Sequence, residues 1–196
     1  MKIMDLPCSL IRGGTTKGVY IEGRHLPDDP ILRDRIILSL FGSPDARQID
    51  GLGGADPLTS KVAIVSPSAK PDADVDYTSG EVGIVEPNIN YGTMCGNLAS
   101  GVGLFAIARG MVKIVAPVTA IRIFNTNSGK YLTAYIPIEN AKPALTGTFS
   151  INGVPGTSPK IRLAFENPTG SITGHLLPTQ SPVDQIKLDK IGRAHV

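Results

Sequence analysis

Residues 90–110 read NYGTMCGNLASGVGLFAIARG, and how this stretch is read decides the fold. From Leu98 to Ala108 it carries no charged side chain. A surface helix would show a polar stripe at a period of 3.6 residues, and none is present. The run is too short for a membrane span, which needs about 20 apolar residues. It predicts a helix over 98–108 buried on all sides within its own domain. Ala99, Gly101, Gly103, Ala106 and Ala108 are small, so neighbouring backbone can approach closely. Gly110 suits the left-handed position past a helix end, and Arg109 complements the negative end of the helix dipole.

Cys95-Gly96-Asn97 stands where this helix begins. Unsatisfied backbone N–H groups there form an anion site. The same partial positive charge stabilises a thiolate. A carboxylate and a reactive sulfur could thus meet at one spot. The alternative is that Cys95 is a small buried apolar residue, as free cysteines commonly are.

The rest of the chain sets bounds. Hydrophobic residues make up 41% of the 196, enough for a core, yet aromatics are 5% and Trp is absent, so the core is aliphatic and packed on Ala and Gly. Gly 22 and Pro 16 imply many turns and short strands. A net charge of +2 without a basic block gives nucleic-acid binding no electrostatic support. Cys8 and Cys95 do not make a disulfide framework, and MKIMDLPCSL has no signal-type apolar run, so the chain reads as cytoplasmic, with neither membrane nor nucleic acid as partner. His25, His175 and His195 are scattered and there is no Cys-x-x-Cys, so no metal site is expected.

Working outward, 3–11 reads as a strand with Cys8 in a structural role, and Val19-Tyr20-Ile21 as its hairpin partner. Between them, Arg12-Gly13-Gly14-Thr15-Thr16-Lys17-Gly18 gathers hydroxyls, amides and two cations, an inventory that suits an anion with several oxygens. It lacks Walker spacing, and a plain hairpin turn with solvated cations is the other reading. Asp28-Asp29-Pro30 starts an amphipathic helix whose inward residues are Ile31, Leu32, Ile36, Leu38 and Leu40, ending at Gly42-Ser43-Pro44. A Gly-rich loop, 45–58, leads through Thr59-Ser60-Lys61 into the strand Val62–Val65. Lys61 either snorkels or, if desolvated, acts as a base. Strands are expected at 75–85, 118–124, 131–138, 147–151 and 160–165, and 171–181 reads as a linker. Gly101-x-Gly103-x-x-Ala106 matches a dinucleotide fingerprint, but it lies inside the apolar helix rather than on a strand-to-helix turn.

Taken together, LIRGGTTKG, GSPDARQIDGLGGADPLTSKVAIVSPS, ADVDY, CGN with its apolar helix, and INGVPGT resemble the PrpF-like branch of the diaminopimelate-epimerase-like superfamily. The resemblance runs from about Leu6 to Ser181, and GSPDARQIDGLGGADPLTSKVAI is most similar to the 4-oxalomesaconate tautomerases, with the 2-methylaconitate cis-trans isomerases in the same branch. It implies an α+β fold of two similar halves, each a β-barrel wound around a central buried helix, of which this chain holds the N-terminal half. Residues 1–182 would form that barrel domain and 183–190 the start of a second, truncated domain. Residues 191–196 read as a tail foreign to the protein, since their back-translation matches an adapter oligonucleotide.

The activity implied is a cofactor-independent proton shift along an unsaturated di- or tricarboxylic acid. By position, Lys61 and Cys95 would be catalytic. Arg12, Gly14, Thr15, Thr16, Lys17, Ser60, Gly96 and Asn97 would bind substrate. Met94 departs from the family, which often has Asn there. The partners implied are a small unsaturated polycarboxylate, the C-terminal half of the same protein, and a second copy in a homodimer. An amino-acid epimerase or racemase of the same fold, and a non-catalytic carboxylate-binding protein, remain as alternatives.

Overall fold

The computed structural model describes residues 5–167, 169–170 and 173–183. The proposed tail at 191–196, most of the 183–190 segment and the first residues of the strand expected at 3–11 lie outside the described residues. The chain separates into two units, Met1–Glu166 and Asn167–Val196. The described part of the second unit contains no helix or strand. Among its local contacts, the Gly170 N–H donates to the His175 carbonyl at 3.1 Å.

In the first unit, β1 (Cys8–Gly13) and β2 (Thr16–Glu22) form a hairpin with Gly13 opposite Thr16. Its two-residue turn is Gly14-Thr15, and Gly14 has φ 55, as a two-residue hairpin turn with glycine first requires. Helix α1 (Pro30–Phe41) is capped by Asp29, whose carboxylate accepts from the Ile31 N–H at 2.9 Å. It stops at Gly42, which adopts φ 73. Ile37 and Phe41, one turn apart, are its buried residues, and the expected Ile36, Leu38 and Leu40 pack partly buried on the same cluster. The expectation is corrected only at Ile31 and Leu32, which are 72% and 46% exposed. The reason is that Phe41 and Ile37 dock together on Val19, Ile21 and Val62 of the sheet.

After α1 come β3 (Lys61–Pro67), β4 (Val75–Val82) and the short β5 (Ile89–Asn90). Helix α2 (Gly96–Ala108), β6 (Val118–Asn125), β7 (Lys130–Glu139), β8 (Lys142–Pro143) and β9 (Arg162–Phe165) follow. The sheet runs β1-β2-β3-β4-β6-β7-β8, with β5 on β4 and β9 on β7. The two parallel pairs, β2 with β3 and β4 with β6, are those whose connections contain a helix, as parallel crossovers require. The strand expected at 147–151 is instead a single bridge, Phe149 to Ser158.

Helix α2 packs against β1, β2, β3, β4 and β7, so the sheet curls around it. Leu98, Ala99, Val102, Phe105 and Ala106 are buried with Tyr20, Ala63, Tyr77, Ile121 and Ile136. The other face of β2 and β3 is covered by α1. The expectation of burial on all sides needs one correction. Asn97, Ser100, Leu104 and Ala108 form a stripe along α2 that is not buried. The sheet is open where that stripe lies, and β1 pairs with β2 alone among the described residues.

The small residues of α2 are needed for this approach. A Cβ at Gly103 would stand 2.8 Å from Ile136 Cδ1, and one at Gly101 would run into the Tyr20 hydroxyl. Ala106 is fully buried. Replacing Ala106 by Leu is expected to overpack this layer and lower stability by about 1–3 kcal/mol in urea denaturation. An unchanged midpoint would mean that the sheet does not close tightly on α2.

Candidate active site

The site is built on one face of the β3–β4 ladder. There Lys61 pairs with Glu81, Ala63 with Ser79 and Val65 with Tyr77. Ala63, Val65 and Tyr77 belong to the core around α2, so strand alternation turns Lys61 and Ser79 to that face as well. Lys61 Nζ lies 2.8 Å from Glu81 Oε2, and the Lys61 side chain is 12% exposed against 46% for Glu81. The Lys61 side chain is therefore mostly buried, with a carboxylate as its partner.

Cys95 is the N-cap of α2, with φ −92 and ψ 104, and its side chain makes no capping hydrogen bond. Its peptide is held from β4 on both sides. The Tyr77 hydroxyl donates to the Cys95 carbonyl at 3.1 Å, and the Cys95 N–H donates to Ser79 Oγ at 3.2 Å. The thiol is free and half-buried. A second tyrosine, Tyr20, donates to the Leu98 carbonyl at 2.5 Å. Burial pushes the Tyr20 and Tyr77 hydroxyls well above the ordinary tyrosine range, and the neighbouring Cys95 charge pushes the same way. Both remain donors through the physiological range.

The hairpin turn meets the start of α2 directly. Cβ atoms on Gly13 or Gly14 would run into Asn97, so glycine is what lets the turn sit there. Asn97 Nδ2 donates to Thr15 Oγ1 at 3.1 Å. Thr16 is 1% exposed, and its hydroxyl has no hydrogen-bond partner among the described residues. It shares the α2-facing side of β2 with Tyr20. Arg12 folds back over the turn, donating to the Gly14 carbonyl at 2.8 Å and to Ser158 Oγ at 2.9 Å. No acidic residue pairs with it among the described residues. Arg12, Gly14, Gly96, Asn97, Ser100 and Ser158 form the polar part of a cavity of about 450 Å³ whose remaining walls are mostly apolar. This is within the size range of small-molecule sites.

Two expected substrate ligands face away. Lys17 shares the α1 side of β2 with Val19 and Ile21. Its ammonium lies 3.3 Å from where a Gly54 Cβ would stand. Ser60 is fully buried and donates to Gln48 Oε1 at 2.6 Å, while accepting from the Gly54 N–H at 3.4 Å. Gln48, 1% exposed and also bonded to Ser43 and the Ala55 N–H, is the hub of the 45–60 loop. The cation-rich turn thus divides between the two faces of the sheet. The structure brings Gly14, Thr15, Asn97 and Arg12 together at the start of α2 beside Cys95 and Gly96. It puts Thr16 and Lys61 on the same sheet face but outside the cavity lining, and places Lys17 and Ser60 behind the sheet. Ser79 and Tyr77 are absent from the sequence-derived list. The alternation Val75, Tyr77, Ser79 held the signal, since a serine on a core-facing parity needs a polar partner.

The PrpF protein family profile matches residues 3–196. This chain belongs to the PrpF family. Over 187 residues it is 49% identical to 3-methylitaconate isomerase of Eubacterium barkeri, covering 95% of this chain and 49% of that protein. Over 182 residues it is 45% identical to 4-oxalomesaconate tautomerase of Pseudomonas putida, covering 93% and 50%. The crystal structure of a methylitaconate-delta-isomerase aligns with a TM-score of 0.85 at 49% identity, covering 94% of this chain and 48% of that one. The chain spans about half the length of the curated relatives it matches. Among the described residues no helix is long and apolar enough to cross a membrane.

The two buried tyrosines carry a pH prediction. Their folded values are raised above the unfolded value of 10.0, so the folded state holds more protons at alkaline pH. Their contribution to stability is present in full below pH 10 and is lost as pH climbs from there toward the folded values. Absorbance at 295 nm is expected to show Tyr20 and Tyr77 ionising only together with loss of the fold. Tyrosinate formation by both, with near-UV circular dichroism unchanged, would contradict their placement against α2.

Proposed function

We propose that this chain is one half of a cofactor-independent isomerase or tautomerase that shifts a proton along an unsaturated di- or tricarboxylic acid. The observation that supports the reading is that Lys61 and Ser79, whose hydroxyl holds the Cys95 N–H, share the α2-facing side of the β3–β4 ladder. A proton shift of this type needs a group that removes a carbon-bound proton next to a carboxylate or keto group. It also needs fixed donors where the enolate charge develops, and a proton source for the new carbon. Lys61 and Cys95 supply the proton-handling groups. The first-turn N–H groups of α2, from Gly96 and Asn97, and the Arg12 guanidinium supply the donors. The unpartnered Thr16 hydroxyl, buried under the same turn, gives a carboxylate oxygen a further partner. Lys17 and Ser60 would contribute from behind the sheet, by holding the 53–60 loop that leads to Lys61.

The names of the relatives support the substrate class, since methylitaconate and oxalomesaconate are both unsaturated polycarboxylates. The coverage of about half of each supports an active site shared with a second half. In the finer architecture we propose, the sheet closes into a barrel around α2 when the rest of the protein is present. That half would exclude water from the Cys95 side, which strengthens every electrostatic contact there. The chain alone would then bind a carboxylate without turning it over. A homodimer of the whole protein is part of the same proposal.

In a protein carrying both halves, Lys61→Ala is expected to abolish deuterium wash-in at the substrate carbon, read by NMR, while a carboxylate ligand still protects against thermal unfolding. Undiminished wash-in would remove Lys61 as the base. Ligand protection without wash-in in the unsubstituted protein would favour a non-catalytic carboxylate binder.

A further inference from the structure

We propose that Ser79 is a positioning residue for Cys95, and that Asn127 sets Ser79 from the β6–β7 turn. The inference rests on the reading of Cys95 as a proton-transfer group. Ser79 is 2% exposed and uses its hydroxyl twice. It accepts from the Cys95 N–H at 3.2 Å and donates to the Thr93 carbonyl at 3.1 Å, with Asn127 Oδ1 as a second acceptor at 3.2 Å. One hydroxyl therefore fixes the two ends of the three-residue approach to α2, Thr93 to Cys95.

Asn127 is committed to the same task at every polar atom. Its Oδ1 accepts from the Ser79 N–H at 2.9 Å and from Asn125 Nδ2 at 3.0 Å. Its Nδ2 donates to the Ser79 carbonyl at 2.8 Å and to the Tyr91 carbonyl at 2.8 Å. Asn125, fully buried, also donates to the Tyr77 carbonyl at 3.1 Å, and its Oδ1 accepts from the Ser128 N–H at 2.9 Å, which shapes the turn itself. The turn at 125–129 thus clamps both Ser79 and the loop at Tyr91. From there the clamp reaches Cys95 through one hydroxyl.

This assigns a reason for a polar cluster inside an otherwise apolar layer. The β4–β6 ladder ends at Tyr77, so the Asn127 amide takes the place of a strand at the Ser79 backbone, while the Ser79 hydroxyl belongs to no ladder and is spent on Cys95 and Thr93. The N-cap position is where a thiol feels the positive end of α2, and that field falls off within one turn. Small displacements of Cys95 therefore change its chemistry. The Cys95 side chain does not cap the helix, so its peptide must be held by other groups.

The test is the rate at which iodoacetamide alkylates Cys95 in this chain, read by peptide mass spectrometry, with Cys8 as the internal reference. Cys8 is a free, half-buried thiol on β1, remote from the clamp. In Ser79→Ala, and again in Asn127→Ala, Cys95 is expected to react about fivefold more slowly relative to Cys8, the scale of one lost hydrogen bond. Global loosening would speed both thiols together. An unchanged ratio, a faster Cys95, or a parallel rise of both rates would each overturn the proposal. No substrate enters this measurement, so a failure of the isomerase reading would show in the wash-in assay and leave this result standing.

Discussion

Everything in this structure depends on covering a helix that carries no charged side chain. Helix α2 buries Leu98, Ala99, Gly101, Val102, Gly103, Phe105, Ala106 and Ile107. Left in water, such a helix would expose most of its apolar surface, at roughly 25 cal/mol per Å². The sheet meets this constraint by curling until β1 at one end and β7 toward the other both touch the helix. Glycine and alanine on the helix let backbone and tyrosine hydroxyls come close. Tyr20 and Tyr77 then bond to carbonyls of its first turn and its N-cap. Core packing and site geometry are thereby one problem. The contacts that bury α2 also fix where its N-terminus points.

Much of this was legible in the sequence, because period is a strong signal. The uncharged run 98–108 identified the helix, Asp29-Pro30 and Gly42 identified the limits of α1, and Gly14 identified the hairpin turn. The position of Cys95 at the N-cap followed from where the apolar run starts. The inward face of α1 is legible only in part, because its apolar residues spread around the helix: Ile36, Leu38 and Leu40 reach the core, while Ile31 and Leu32 do not. Docking on Val19 and Val62 selects Ile37 and Phe41 from that spread. The open stripe on α2 was not legible either. An apolar helix says that it needs cover, but not which strands provide it.

The site was legible in composition and less so in direction. The turn Arg12–Lys17 lists cations and hydroxyls as if they formed one cluster, yet alternate residues of a strand face opposite ways. Thr16 turns to α2 and Lys17 to the other side of β2. Ser60 is taken up by Gln48, a buried polar hub whose role depends on folding of the 45–60 loop and leaves no periodic trace. Ser79 and Asn127 are 48 residues apart in sequence and join only through the β4–β6 pairing. Long-range polar pairs of this kind are set by topology, so local patterns could not announce them.

The central claim is that α2 is the element on which the sheet closes, and amide hydrogen exchange followed residue by residue tests it most directly. The amides of 98–107 are expected to exchange most slowly in the chain, together with those of β3 and β4, and at the rate of global unfolding. Those of β1 and β8, at the open edges, should exchange much faster. Exchange of the α2 amides as fast as those of the edge strands would contradict the account, because a helix that opens independently cannot be what holds the sheet.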